Sequence, residues 1–366
     1  MKTWIVVALM GAVFAAFLHV YTGLDYGKWI HSHRPGVCRV VEGPRHGSEG
    51  LTVVEEEGIA FISSGVQFMG TMWVGDYGRI FLYNFSQPIS DHSSPLRAIE
   101  LPFVGKNFHR ANFHPHGISH WVVNGVIRLF VINHDNAFKH SVEVFDYDKK
   151  AKALVHVKSV KGDALIRPND ITATGRNSFI WSNDGAAQTM AANFVEILLS
   201  RHVGSIGYYD GRETRVLLDG LPGPNGILYD DSRKVLYVSM TIAERIDVFR
   251  ITEAELTLLS QTAVHTVPDN LLFGSDGAVY AGAHPIMHLA AAHMSDCSNM
   301  KMFAPSQVLR LKYEDPARRP VITEIYANDG SEVSASSVAA LFQNQLLIGS
   351  VCRQLLHCEI VDETVL

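Results

Sequence analysis

One uninterrupted apolar block, residues 4–18, opens the chain, and from Val53 onward the pattern changes to short apolar runs separated by turn residues. Such runs lie at 58–63, 79–85, 126–133, 142–147, 235–240, 245–251 and 278–283. Bounded by Gly, Asp, Asn and Ser, they read as β-strands, because they lack a helical period. Asp230-Asp231-Ser232-Arg233-Lys234 and Gly274-Ser275-Asp276-Gly277 supply turns between them. Two segments break the series. Residues 186–201 become rich in Ala, Met and Leu after Asn183-Asp184-Gly185, and 286–294 have a similar character, so both are predicted helices. Their place within a regular series of strands is that of loops over a site.

The spacing of the runs predicts the architecture. The branched apolar residues that follow a polar or small pair are Ile59, Ile118, Ile171, Ile227, Leu271 and Val338, six positions 44 to 67 residues apart. A four-stranded propeller blade takes about 40 to 50 residues, and insertions on one face lengthen it. The expected fold is therefore all-β, a six-bladed β-propeller with an N-terminal hydrophobic leader or anchor helix. Residues 1–24 are expected to form the signal peptide or uncleaved signal anchor, 25–37 a linker, and 38–366 the propeller domain. The run 338–360 would complete a blade begun after Cys38 and close the ring. A two-sheet sandwich with a second domain leaves the sixfold spacing unexplained.

In a propeller, residues that open successive inner strands meet at one end of the central channel. His116 before Gly117-Ile118, Asn169-Asp170 before Ile171, Asn225-Gly226 before Ile227, and Asp269-Asn270 before Leu271 all take that place, and Glu49 opens the first blade. Any one of these pairs alone is an ordinary turn dipeptide. Recurring at blade spacing, they gather carboxamides, carboxylates and an imidazole around one point, and oxygens from separate segments suit calcium. His114 and His116 form a His-x-His pair that also invites zinc, but the Asn and Asp partners favour a hard cation. His134 ends a strand, as a buried structural histidine or a partner for His116.

Composition narrows the picture. A formal charge of −6 and pI near 6.3 leave no basic footprint, which excludes nucleic acid as the expected partner. The flank His19-Val20-Tyr21-Thr22 lacks a small-x-small cleavage site, so the apolar block reads as a signal core or, extended through Tyr21, an uncleaved anchor. Either exports the rest of the chain to an extracellular or membrane-anchored position, with lipid association through the N-terminal segment. In an oxidising compartment Cys38 and Cys358, near the two ends, form the expected disulfide. Cys297 and Cys352 are expected as two buried thiols rather than a second bridge, with a Cys352–Cys358 pair as a further alternative. Asn84-Phe85-Ser86 is a glycosylation sequon.

Several of these segments, taken in order, resemble the paraoxonase/arylesterase family: Gly58-Ile59-Ala60-Phe61-Ile62-Ser63-Ser64-Gly65, Pro115-His116-Gly117-Ile118-Ser119, Val131-Ile132-Asn133-His134, Asn169-Asp170-Ile171, Asn225-Gly226-Ile227, Val267-Pro268-Asp269-Asn270 and Gly282-Ala283-His284-Pro285. The likeness runs from Cys38 to Cys358. It implies a six-bladed propeller that hydrolyses lactones and aryl esters with two calcium ions in its channel. By that resemblance Glu49, Asn169, Asn225, Asp269 and Asn270 hold a catalytic calcium, and Asp170 with the Ile118 carbonyl holds a structural one. It also implies a His116–His134 dyad and the Cys38–Cys358 bond, while Asp269, a carboxylate that can leave the metal, is a rival base or nucleophile. Two positions depart from the family: Gly50 stands where an acidic residue follows the calcium-binding Glu, and Ala283 stands where a free cysteine precedes His-Pro. The first predicts one tight calcium and a weak or absent second. Two rival readings are a non-enzymatic, membrane-anchored propeller that partners membrane proteins, and a gluconolactonase-like or strictosidine-synthase-like propeller that would share the architecture without this His and Asn-Asp pattern.

Overall fold

The computed structural model describes residues 2–66, 77–89, 93–106, 108–252 and 255–361. Loops such as 68–77 and 186–201 are expected to carry specificity, and of the first of these residues 68–76 lie outside the described residues. The described residues fold as six sheets arranged as the blades of a propeller, antiparallel except for one short parallel edge strand in each of two sheets. Their innermost strands are β1 (Gly50–Val54), β2 (Pro115–Val123), β3 (Pro168–Gly175), β4 (Pro224–Asp230), β5 (Val267–Phe273) and β6 (Ser336–Phe342). The first position therefore belongs to Leu51 rather than Ile59. Ile59 opens the second strand and pairs with Val54 across a one-turn 3₁₀ helix, Glu55–Glu57. Both strands of that hairpin are apolar and each starts after a glycine, which is why the pattern alone did not separate them.

Burial follows position in the blade. Second strands such as Val235–Met240 and Val279–His284 are buried at every residue, because neighbouring blades cover both faces. The outermost strands Ala153–Val160 and Leu256–Ala263 mix buried and exposed positions. A hydrophobic cluster fills each of the six junctions between adjacent blades. The junction of blades three and four, for instance, packs Ile180 and Ile206 against Ile227, Leu236 and Val238. No blade owns a core of its own, so the ring must close for the last junction to be buried.

Closure comes from both ends of the chain. Cys38–Glu42 adds as the fourth strand beside Leu355–Glu359, with Cys38 directly opposite Cys358, and a disulfide joins the two. The remaining cysteines correct the expectation of free thiols: Cys297 and Cys352 form a second disulfide. Their separation of 55 residues in sequence conceals that the loop after the fifth blade's helix lies against the last turn of blade six.

Among the described residues three α-helices stand outside the sheets: α1 (Lys2–Gly23), α2 (Met190–Leu198) and α3 (Met287–Ser295). In α1, Trp4–Gly23 have a mean hydropathy of 2.1 and none of that window is buried, so the helix is long and apolar enough to cross a membrane. The stretch 24–37 that follows it is laid along the propeller. Asp25 accepts the Met287 amide at 3.0 Å, Tyr26 stacks on His288 at 4.1 Å, and His33 bridges to Ala327.

Replacing both Cys38 and Cys358 with Ser frees a loop spanning 320 residues, for which chain entropy gives roughly 5 to 6 kcal/mol. The doubly substituted chain is expected to melt on the order of 10 °C lower in scanning calorimetry. An unchanged Tm would show that blade packing alone closes the ring.

Candidate active site

Four inner strands share one local sequence: Pro115-His116-Gly117-Ile118, Pro168-Asn169-Asp170-Ile171, Pro224-Asn225-Gly226-Ile227 and Pro268-Asp269-Asn270-Leu271. Each proline and each branched residue pairs with the second strand, and the register slips between them. Two residues thus face one: Asn169-Asp170 lie opposite Ser182, and Asn225-Gly226 opposite Ser239. Proline offers no N–H to the ladder, and a bulge of this kind bends the strand and re-aims its side chains. The polar pairs are therefore the bulge residues, and all four bulges occur at the same end of the channel.

The bulges press on one another. A Cβ on Gly117 would lie 2.6 Å from the Asp170 Cα, and one on Gly226 would lie 2.3 Å from the Asp269 carbonyl oxygen. Glycine is required at both places by this approach. Serine side chains then link neighbouring blades at this level: Ser182 Oγ donates to the Asn225 carbonyl, Ser239 Oγ to the Asp269 carbonyl at 2.6 Å, and Ser337 Oγ to the Glu49 carbonyl at 2.8 Å.

Above the bulges is a cavity of 270 Å³. Glu49, His116, Asn169, Asn225, Asp269 and His284 form its polar end, and α2 and α3 supply apolar walls including Phe194, Ile197, Met287 and Met294. Glu49, Asn169, Asp269 and Asn270 are all buried. Asn270 Nδ2 donates to Glu49 Oε1 at 2.7 Å, Asn169 Nδ2 donates to Asp184 Oδ2 at 3.2 Å, and His284 Nε2 pairs with Asp269 Oδ2 at 2.9 Å. Four oxygens at this end find no donor: Glu49 Oε2, Asn169 Oδ1, Asn225 Oδ1 and Asn270 Oδ1. Burying polar oxygens without partners costs about 1 to 3 kcal/mol each, and a hard cation is the ligand that relieves such a set. Among the described residues no group of three or more His, Cys, Asp and Glu side chains gathers for a metal. The candidate centre instead combines two carboxylates with three carboxamides.

His116 stands beside this oxygen set. Its Nδ1 meets His134 Nε2 at 2.9 Å, and its Nε2 lies 3.4 Å from Glu49 Oε1. Burial disfavours its charged form, but the Glu49 carboxylate, with Asp184 and Asp269, outweighs that and raises its pKa. His134 has no such carboxylate among its main influences, so burial and the neighbouring histidines hold it well below the usual imidazole range. Burial raises Asp269 against the opposing pull of His284. His114 turns its Nε2 to Asn136 Oδ1 at 2.8 Å and does not line the cavity.

Asp170 and Ile118 do not line this cavity. With Asn270, they border a second, 20 Å³ cavity deeper in the channel, where Asp170 is the single carboxylate beside Ser119, Thr172 and apolar walls such as Leu51, Leu271 and Val338. Asp170 Oδ2 accepts the Ile227 amide at 3.0 Å. Burial nonetheless pushes the carboxyl well above its ordinary pKa. Asn84 is exposed at the end of its strand, with Oδ1 accepting the Ser86 amide.

The sequence reading passed over several residues. Arg167 is buried between Asp184 and Glu196 of α2, tying that wall to the propeller. His284 engages Asp269, and His140 extends the His116–His134 pair, with Nδ1 2.8 Å from His134 Nδ1. A signal for the centre itself was present in the shared Pro-x-x-Ile/Leu pattern. α3 is held at both ends, by Asp25 and by the Cys297–Cys352 bond.

Comparison with known proteins adds three findings. The sequence profile of the family described as arylesterase matches residues 30–360. Serum paraoxonase/arylesterase 2 of Homo sapiens is 32% identical over 335 residues, 88% of each chain, and Mechanosensory abnormality protein 6 of Caenorhabditis elegans is 30% identical over 374 residues, 98% of this chain and 94% of the other. In structure, the luciferin-regenerating enzyme superposes with a TM-score of 0.53 at 10% identity, covering 89% of this chain and 96% of its own, which is a likeness of fold.

Gly226→Ala is expected to cost about 1 to 3 kcal/mol, because the atoms it meets are the Asp269 and Asn270 backbone, which cannot step aside. Denaturant unfolding measures this directly. A variant as stable as the parent would show that adjacent bulges do not approach so closely.

Proposed function

This chain belongs to the arylesterase family, and on that premise we propose that it is a hydrolase of lactones and aryl esters that uses a calcium ion and the His116–His134 pair. The observation that carries the reading is the convergence, with His116, of donor-less oxygens from Glu49, Asn169 and Asn225, on three separate blades, on one cavity, with Asn270 tied to Glu49 through its Nδ2. Glu49, Asn169, Asn225, Asp269 and Asn270 would hold the ion. Bound calcium supplies positive charge for the acyl oxygen as negative charge grows there. The apolar walls from α2 and α3 fit the acyl or aryl part of a small ester.

His116 performs the proton work. With Nδ1 fixed by His134, its Nε2 takes a proton from water while the water oxygen bonds to the acyl carbon. The acyl C–O bond then breaks, and the departing oxygen takes that proton from Nε2. We assign Asp269 to the ion rather than to the proton, since His284 already engages its Oδ2. The second ion is weak or absent in this reading, because Asp170 is the one carboxylate of the deeper cavity and Gly50 stands in place of an acid.

The two disulfides and α1 support a propeller in an oxidising, exported compartment, anchored or lipid-associated through α1. The exposed Asn84 is the glycosylation acceptor if the route is eukaryotic. A second reading, a non-enzymatic membrane-anchored propeller, is favoured by one observation: the relative named for mechanosensory abnormality aligns over 98% of this chain, the anchor region included.

Hydrolysis of phenyl acetate and of a δ-lactone separates the two readings. Turnover that is lost in EDTA and restored by calcium is expected, and no turnover of any ester or lactone favours the second reading. His116→Gln is expected to lower kcat/KM by about a hundredfold or more with calcium affinity unchanged, and full activity would remove His116 from the mechanism. Calorimetric titration of the chelated chain should find one tight calcium, and Gly50→Asp should add a second. Two tight ions in the unmutated chain would refute the reading of Gly50.

A further inference from the structure

Beyond the pair lies a third ring. His134 Nδ1 is 2.8 Å from His140 Nδ1, so His116, His134 and His140 form one hydrogen-bonded row that starts at the cavity above the bulges. It ends elsewhere. His140 is half-buried and borders a separate cavity of 740 Å³ on the other side of blade two, together with Asp135 and Asp163. Its Nε2 has no protein partner.

Each contact in this row joins two ring nitrogens, so one must donate and the other accept. Neutral imidazole carries one N–H, and the three rings can therefore be ordered in only two ways. In one order every proton points away from the active site: His116 Nδ1–H donates to His134 Nε2, His134 Nδ1–H donates to His140 Nδ1, and His140 Nε2–H faces the second cavity. In the other order every proton points inward, and His116 presents N–H to the site and cannot act as a base. The ring nitrogen that hydrogen-bonds outward sets which nitrogen is left to react.

Resting on the hydrolase reading above, we infer that His140 is a positioning residue of the reaction, which by accepting the His134 Nδ1 proton fixes the tautomers of His134 and His116 and leaves the His116 Nε2 lone pair facing the substrate. His140 touches neither substrate nor ion. It lies beyond the bulges, on the first turn of the third strand of its blade, His140–Asp148. Its Nε2 is itself buried without a hydrogen-bond partner among the described residues, and the cavity bordering the ring gives a small molecule access to its place.

Three measurements on the full chain test this. In His140→Ala, kcat for phenyl acetate is expected to fall roughly tenfold with KM unchanged. Millimolar imidazole should restore most of that loss in His140→Ala and leave the unmutated chain unaffected. His140→Gln, whose carbonyl oxygen still accepts the proton, should retain most of the activity. Long-range ¹H–¹⁵N spectra of histidine-labelled protein, recorded without substrate, should show His134 protonated at Nδ1 in the unmutated chain and shifted toward Nε2 in His140→Ala. Unchanged kcat in His140→Ala, a loss that imidazole cannot repair, or a His134 proton on Nε2 in the unmutated chain would each overturn the inference while leaving the hydrolase reading intact. Failure of the unmutated chain to hydrolyse any ester would instead remove that reading, and the role of His140 with it.

Discussion

The structure depends on a backbone constraint: four inner strands each carry two residues where their partner strand carries one. Proline begins every such bulge and a branched apolar residue ends it. The proline withholds an N–H from the ladder, and the Ile or Leu that follows returns the strand to the hydrophobic junction between blades. Between these fixed points the backbone has slack, and that slack turns polar side chains inward to the channel. Glycine at 117 and 226 lets neighbouring bulges approach within contact of each other's backbone. The oxygens thus converge because the blades are packed, and the blades pack because the ring is closed by Cys38 and Cys358.

This convergence has an energetic cost that the rest of the molecule must sustain. Carboxylates and carboxamides without donors destabilise a fold, and the six apolar junctions offset that cost. A cation at the oxygen set would reverse its sign, converting a liability into a link among blades that are far apart in sequence. The deeper cavity shows the contrasting case. There a single carboxyl, Asp170, receives an amide hydrogen bond yet remains in an apolar setting that favours its neutral form.

Much of this was legible in the sequence because it is local and periodic. The six-blade count, the two extra helices and the residues of the oxygen set all follow from short patterns repeated at blade spacing, and the Cys38–Cys358 bond follows from position. The misreadings come from features that neither recur nor lie close in sequence. Ile59 took the place of Leu51 because both strands of the first hairpin follow a glycine. The Cys297–Cys352 bond joins two loops that meet only once blades five and six are stacked. Arg167 and Glu196 find each other across 29 residues and a helix that carries no repeat. His140 lies six residues from His134, but only the turn between two strands brings their rings into register, at the paired positions His140 and His134.

The central claim is that the donor-less oxygens of Glu49, Asn169, Asn225 and Asn270 form one calcium site built from the bulges. The most direct test is the melting temperature of the chelated chain as a function of added calcium, with magnesium as the control. A ligand that binds only the folded chain raises stability in proportion to the logarithm of its concentration above Kd, and magnesium demands a tighter octahedral geometry than this set of flexible amide and carboxylate oxygens presents. The account predicts a steady rise of Tm with calcium and little or none with magnesium over the same range, both effects vanishing in Asn225→Ala. A chelated chain whose Tm is indifferent to calcium would contradict it.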